Sequence, residues 1–314
     1  MKIGFIGLGN VGGKLAGSLL RNGIDVSVHD LKAELVAQFV ERGARDGGAP
    51  AALMATCDGV ITCLPSPAAS KAVMQEMLPL VAPGKIWMEM STTDEAEVKR
   101  LGAQVIAAGG EAVDCPVSGG CHRAATGNIS IFAGCARTTF ERILPLLTVM
   151  GRRVLHTGPL GSASVLKVIT NYLATANLVS CAEALTVAKG AGMDLTTAYE
   201  AIRISSGTSF VHETESQVIL NGSRDISFTM DLVAKDIGLF QEVADRAGVP
   251  VELNPALIRI FADGIARFGP RELSPNIIKR LEDATGLVIR APGFPAEMLD
   301  DEPEEAGAEV IVAR

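Results

Sequence analysis

Residues 2–30 read KIGFIGLGNVGGKLAGSLLRNGIDVSVHD. Lys2–Ile6 is a short apolar run of strand length, bounded by glycine. The run breaks into Gly7-Leu8-Gly9-Asn10-Val11-Gly12, and apolar residues then return at helical spacing to about Arg21. Asn22-Gly23 marks a turn, and Asp25–His29 is a second strand ending beside Asp30. A strand, a GxGxxG loop, a helix and an acid at the end of the next strand together form the dinucleotide-binding fingerprint. The acid lies 18 residues beyond Gly12. In this pattern Gly7 makes the tight turn, Gly9 lets a pyrophosphate reach the backbone, and Gly12 lets helix and strand pack closely. The helix start offers free N–H groups and a positive dipole end. Asp30 is expected to accept both hydroxyls of an adenosine ribose and to repel a 2′-phosphate. The expected cofactor is therefore NAD, with NADP less favoured.

The pattern repeats outward. Strands are expected at 59–63, 85–90, 111–114 and 129–133, with helices near 32–42, 68–78 and 94–108. Strands alternating with helices predict a parallel sheet covered on both faces. From 163 to about 286 only helical patterns occur, broken at Gly190–Gly192, Ser205–Gly207, Asn221–Gly222, Gly248–Pro250 and Gly269–Pro270. The expected fold is α/β: a dinucleotide-binding domain over 1–162, then an all-α domain over 163–290 whose first helix, 163–190, joins the two. In SPNIIKRLEDATG (274–286), Ser274 suits an N-cap, Pro275 the first turn and Gly286 the residue past the end. The segment 291–314 is expected to be a mobile acidic tail.

Composition sets bounds. The chain has 314 residues, 48% hydrophobic content and a mean hydropathy of +0.30, enough for two well-packed domains. Net charge is −8, of which residues 296–314 supply −6, with seven carboxylates against Arg314. No basic patch suits a nucleic acid. The six cysteines show no CxxC spacing and read as small core residues of a reducing compartment. Four histidines without HxH or HExxH spacing argue against a metal site. The glycine-broken N-terminus lacks a signal-peptide pattern, and no uninterrupted apolar span of about 18 residues stands out. The expected location is the cytoplasm.

Two further stretches carry chemistry. Asp114-Cys-Pro-Val-Ser-Gly-Gly (114–120) lies at the end of an expected strand, where open α/β sheets bind ligands. Ser118 followed by Gly119 and Gly120 can aim a hydroxyl and successive N–H groups at one carboxylate; the alternative is a surface turn. In GSASVLKVITNYLATANL (161–178), Lys167 and Asn171 are four residues apart on a mostly apolar helix at the domain junction. A surface helix would let Lys167 snorkel into water. Downstream of a dinucleotide motif, a desolvated lysine whose pKa falls from about 10.4 toward working pH suits general acid–base catalysis.

Taken together, GLGNVG at 7–12, Met90-Ser91-Thr92, DCPVSGG at 114–120, GSASVLKVITN at 161–171 and Lys235-Asp236 make the chain resemble the β-hydroxyacid dehydrogenases, the family of 3-hydroxyisobutyrate dehydrogenase, over residues 1–287. The resemblance implies a Rossmann-type domain followed by an all-α domain that forms subunit contacts in dimers or tetramers. It implies Lys167 as catalytic acid/base and Asn171 as a substrate contact. Ser118, Gly119 and Gly120 would hold the substrate carboxylate. Leu64, Pro65 and Thr92 would line the cofactor together with the 7–12 loop, and Lys235 would lie near the nicotinamide end.

Cys121-His122-Arg123 departs from the small residues common in the family. Arg123 is read as a bidentate partner for a second anionic group on the substrate, against the alternative of a surface arginine. His122 is read as structural or solvent-facing and not catalytic, and Phe210 with His212 as pocket-lining. The implied activity is NAD-dependent oxidation of a small 3-hydroxy acid, or reduction of its semialdehyde. Tartronate semialdehyde, succinic semialdehyde and a sulfonate analogue are alternative substrates. Imine reduction, which goes with loss of the lysine, and a non-enzymatic dinucleotide-binding role are less favoured.

Overall fold

The structure is a computed structural model and describes residues 1–313. The chain divides into two units, Met1–Lys167 with the returning segment from Asp301, and Val168–Asp300.

The first unit is built on one sheet. Its strands are β1 (Lys2–Ile6), β2 (Asp25–His29), β3 (Arg45–Asp46), β4 (Gly59–Thr62), β5 (Ile86–Glu89), β6 (Glu111–Asp114), β7 (Val117–Ser118), β8 (Ser130–Gly134), β9 (Arg153–Gly158) and β10 (Ala308–Glu309). Its helices are α1 (Gly12–Arg21), α2 (Ala33–Glu41), α3 (Pro50–Thr56), α4 (Pro67–Met77), α5 (Glu95–Ala107), α6 (Gly120–Thr126) and α7 (Arg137–Leu147). The order β3-β2-β1-β4-β5-β6 is parallel throughout. The order in which strands are added reverses between β1 and β4, which places a ligand crevice at their carboxyl ends.

Beyond β6 the sheet becomes mixed. β8 runs antiparallel to β6 and to β7, and β9 and β10 follow β8 in parallel. The expectation of an all-parallel sheet fails here for a local reason. The residues between β6 and β8 are spent on β7 and the seven-residue α6, not on a crossover helix.

The central strands β1, β4, β5 and β6 are buried on both faces, as a helix-covered sheet requires. Ile3 and Phe5 of β1 join a cluster with Leu15, Leu19, Val26 and Val28, while Ile6 joins the opposite cluster with Leu53, Met74 and Trp87. That alternation follows from the two-residue period of a strand. The indole N–H of Trp87 donates to Thr62 Oγ1 at 2.9 Å, so the one large polar edge in this layer is satisfied.

α8 (Ser162–Gly190) leads out of the first unit into the second. The second unit continues with α9 (Leu195–Arg203), α10 (Phe210–Asn221), α11 (Met230–Arg246), α12 (Leu253–Phe268) and α13 (Lys279–Thr285). Leu185, Ile219, Ile237, Phe261 and Ile278 are fully buried in its core. Local chemistry sets the helix ends. Asp194 and Ser209 cap α9 and α10 by accepting from the amides of Thr197 and His212. Gly222 and Gly286 end α10 and α13 in left-handed conformations.

Three expectations meet a different arrangement. Ser274 caps nothing: it opens a 3₁₀ turn through Ile278, is 1% exposed, and its hydroxyl has no hydrogen-bond partner. α8 is 29 residues long and contains an 18-residue stretch with a mean hydropathy of 1.2, so by length and composition alone it could cross a membrane. Leu178, Ala182 and Leu185 of this helix pack in the helical core instead. The acidic C-terminal segment, read from sequence as mobile, rejoins the first unit and contributes β10 to its sheet edge.

Candidate active site

The dinucleotide loop leaves β1 at Gly7, whose φ of +97° favours glycine. A Cβ there would lie 2.2 Å from the Cys63 carbonyl oxygen. A Cβ on Gly12 would lie 2.0 Å from the Gly7 oxygen, whereas one on Gly9 would meet nothing within 4 Å. Gly7 and Gly12 are thus fixed by the protein's own packing, and Gly9 faces open space of the kind a pyrophosphate fills. Val11 makes no side-chain cap at the start of α1 and no acid stands in its first turn, so the positive end of the helix suits an anion. Asp30 Oδ2 accepts from the Leu8 amide at 2.7 Å and Oδ1 from the Lys32 amide at 2.9 Å. Both oxygens are held in place and keep lone pairs for ribose hydroxyls. Val11, the residue before α1, is half-buried, and Asn10 is exposed. These residues fit a bound dinucleotide.

Leu64 and Pro65 follow β4, and Thr92 follows β5, so all three stand at carboxyl strand ends. Their support is a residue that sequence reading passed over. Glu89 is fully buried in β5. Its Oε1 accepts from the amide of Ser91, at 2.9 Å, and from its hydroxyl, and Ser91 Oγ in turn accepts from the Leu64 amide at 2.7 Å. Burial pushes the Glu89 carboxyl above its ordinary range, against the pull of the Ser91 bonds.

The DCPVSGG stretch does two things. Gly119 and Gly120 have φ of +131° and +86°, a turn that only consecutive glycines adopt readily, and Ser118 beside them is half-buried. Asp114, fully buried, accepts from the amide of Gly161 and the amide of Ser164, each at 2.8 Å. It therefore caps α8 one turn before Lys167. Gly134 makes room for it, since a Cβ there would lie 2.3 Å from Asp114 Oδ1. Lys167 is 9% exposed, a burial that does not match a solvated, snorkelling lysine. Burial pushes the Asp114 carboxyl up to about 6, and the two amide bonds hold it from going higher.

Arg123 is committed within the chain: its Nη2 donates to Glu302 Oε1 at 2.9 Å. The arginine read as a substrate contact thus has a carboxylate of the C-terminal segment as an ion-pair partner. His122 is half-buried.

In the helical unit, Asn171 Nδ2 donates to Asp236 Oδ2, and Lys235 Nζ lies 2.7 Å from Asp236 Oδ1. Asp236 is 1% exposed and thereby fixes both side chains that sequence reading singled out. Tyr172 stacks on Phe240 at 4.1 Å, tying α8 to α11 beside this group. His212 lies in the helical core, stacked on Tyr199 with Nε2 against the Tyr199 carbonyl at 3.0 Å, while Phe210 is exposed.

Residues 2–158 match the family model described as the NAD binding domain of 6-phosphogluconate dehydrogenase. Residues 161–281 match the one described as NAD-binding of NADP-dependent 3-hydroxyisobutyrate dehydrogenase. The chain is 33% identical to 2-(hydroxymethyl)glutarate dehydrogenase of Eubacterium barkeri, over 92% of this chain and 97% of that protein. It is 30% identical to the mitochondrial 3-hydroxyisobutyrate dehydrogenase of Rattus norvegicus, over 82% and 80%. Among solved structures it resembles the 3-hydroxyisobutyrate dehydrogenase of Mycobacterium tuberculosis with L-serine, at a TM-score of 0.81 and 25% identity, over 89% and 98%.

The loop geometry separates two glycines by experiment. Gly9→Ala is expected to leave stability within about 1 kcal/mol of wild type, because its Cβ meets nothing, and to weaken dinucleotide binding at least tenfold. Gly12→Ala is expected to destabilise by roughly 2 kcal/mol or more through its clash with Gly7. Thermal melts and NADH fluorescence titration read both; unchanged NADH binding by Gly9→Ala would remove the loop as the pyrophosphate seat.

Asp114 gives a pH dependence of definite sign. Its folded pKa of about 6 lies above the ordinary 3.8. Its contribution to stability is therefore complete below pH 3.8 and is lost as pH rises through 6. Stability of wild type relative to Asp114→Asn should fall by ~2 kcal/mol between pH 4 and pH 7 in urea unfolding. A constant difference across that range would uncouple Asp114 from folding.

Proposed function

The chain belongs to the β-hydroxyacid dehydrogenase family, an NAD-dependent class acting on hydroxy acids, and on that premise we propose that it oxidises a small 3-hydroxy acid of the 3-hydroxyisobutyrate type, or reduces the matching semialdehyde, with Lys167 as general acid/base. The observation that carries this reading is the burial of Lys167 one turn beyond the Asp114 cap, in the same stretch that presents Ser118, Gly119 and Gly120.

A bound NAD would supply the acceptor for the hydride of the carbinol carbon. Everything else falls to the chain's own residues. Gly7–Gly12 and Asp30 seat the dinucleotide, with Leu64, Pro65 and Thr92 along its length. Ser118 and the amides of Gly119 and Gly120 take the substrate carboxylate. Lys167 Nζ accepts the hydroxyl proton in oxidation and returns it in reduction, so that no free alkoxide forms. Asn171, aimed by Asp236, orients the substrate hydroxyl, and Lys235 shares the same buried carboxylate.

A second reading within the class is a substrate with another acidic group. The relative from Eubacterium barkeri is named for 2-(hydroxymethyl)glutarate, which carries two carboxylates. We further propose a cytoplasmic homodimer or homotetramer. Free cysteines and the exposed apolar side chains of Leu173, Val187 and Ile204 on the helical unit support this.

The decisive experiment is NADH formation across 3-hydroxyisobutyrate, 3-hydroxypropionate, 4-hydroxybutyrate, glycerate, serine, 2-(hydroxymethyl)glutarate and 2,3-dihydroxypropanesulfonate. One or more 3-hydroxy acids should turn over, and Lys167→Ala should lose roughly 10²–10⁴-fold in kcat while still binding NADH. Turnover within about tenfold of wild type would take the acid/base role from Lys167. Asp30→Ala should relax the preference for NAD over NADP at least tenfold in kcat/KM, by removing the ribose contact and the repulsion of a 2′-phosphate. An unchanged ratio would mean that Asp30 does not read the ribose.

A further inference from the structure

The C-terminal segment lies beyond residues 161–281, where the second family match ends, and it is tied closely to the first unit. β10 pairs in parallel with β9, the Ala308 amide donating to Arg152 and the Val310 amide to Val154 at 2.9 and 2.8 Å. Gly307 crosses Gly151 so closely that a Cβ would lie 2.0 Å from the Gly151 oxygen. Carboxylates along the segment meet arginines of the sheet and its helices: Glu304 with Arg21, Glu305 with Arg152, and Glu309 with Arg137.

Glu302 is placed differently from the others. Its Oε1 takes the Arg123 guanidinium at 2.9 Å, and its Oε2 lies 3.6 Å from Arg153. Its backbone oxygen accepts from Asn128 Nδ2 at 2.8 Å, and Asn128 is fully buried. Arg123 and Asn128 stand on and just after α6, the helix that starts at Gly120. The stem of Arg123 lies against Gly119, its Cδ 3.3 Å from where a Cβ on Gly119 would be. One residue of the segment thus grips both the side of α6 and the strand entry that follows it. The Glu302 and Arg123 side chains are 31% and 23% exposed, so the pair is partly shielded from water.

We propose that Glu302 is a positioning residue: the C-terminal segment clamps residues 117–128, so that Ser118, Gly119 and Gly120 are held ready for the substrate carboxylate. The clamp acts through Arg123 and Asn128. The substrate part of this inference rests on the function proposed above; the mechanical part does not. Glycine carries more backbone freedom than any other residue, Gly119 and Gly120 both sit at positive φ, and a loop that must be ordered on binding lowers affinity.

The test uses the full chain with Glu302→Ala, the conservative Glu302→Gln, and truncation after Asp300. Amide hydrogen exchange over residues 117–128 is measured together with KM for the best hydroxy acid, Kd for NADH, kcat and Tm. Glu302→Ala should speed exchange in that window and raise the hydroxy-acid KM about three- to tenfold, a loss suited to a partly shielded charge-assisted hydrogen bond. Its kcat and NADH Kd should stay within about twofold of wild type. Glu302→Gln, which keeps an acceptor for Arg123, should recover part of the loss. Truncation should exceed Glu302→Ala in exchange.

Unchanged exchange in Glu302→Ala overturns the clamp even if the truncated chain fails to fold. A lower Tm with unchanged KM and unchanged exchange over 117–128 also overturns it, because the segment is then only a structural edge. If wild type turns over no hydroxy acid, the functional reading fails, and the exchange measurement still decides the clamp.

Discussion

Asp114 accepts two backbone amides, from Gly161 and Ser164, while fully buried at the end of β6. The placement of the first unit's chemistry depends on this one side chain. An ionised carboxylate is expensive to bury, and the two amides at the positive end of a helix are what offset the cost. Its pKa of about 6 records the balance: burial prevails over the hydrogen bonds, yet the group is ionised at neutral pH. Because the acceptor belongs to the same short stretch as Ser118, the Ser118–Gly120 turn and the helix carrying Lys167 are referred to a single point. A shift in either would break a buried charge-assisted bond.

The same device recurs. Glu89 fixes Ser91, which fixes the Leu64 amide beside the cofactor loop. Asp236 fixes Asn171 and pairs with Lys235. In each case a buried acid aims a group to which the proposed function gives a role. Buried carboxylates are rare because each needs a full set of partners. Finding them beside the segments expected to touch cofactor and substrate indicates where this protein accepts a cost in stability for fixed geometry.

Sequence disclosed the parts that have local signatures. GLGNVG with Asp30 was readable because glycine spacing, a helix start and an acid at a strand end occur in one continuous stretch. The breaks between helices in the second unit were readable because Gly, Pro and Asn mark them. Long-range partners left no such trace. Glu89 is a lone acid in an apolar strand, and only its fold neighbours reveal that it meets Ser91. Asp114 was legible as part of a motif but not as a helix cap, since its donors lie 47 and 50 residues away. Arg123 was read toward a substrate because its partner Glu302 is 179 residues distant. The C-terminal segment was read as mobile from its charge density, a sound inference for an isolated stretch. It is overridden here by arginines scattered from 21 to 153 that no local window brings together.

The position of β10 bears on how the chain is made. β9 is complete by Gly158, but the strand that covers its open edge begins at Ala308. During synthesis the whole helical unit must emerge between these two events. The sheet of the first unit therefore waits with an unpaired edge, flanked by Arg152 and Arg153, until Ala308 and Glu309 are translated. The charge of that edge serves as its protection in the interval: Arg152 and Arg153 repel a second copy of the same strand. The carboxylates of the late segment then neutralise them. The strand that completes the sheet also ends its period of exposure to other nascent chains.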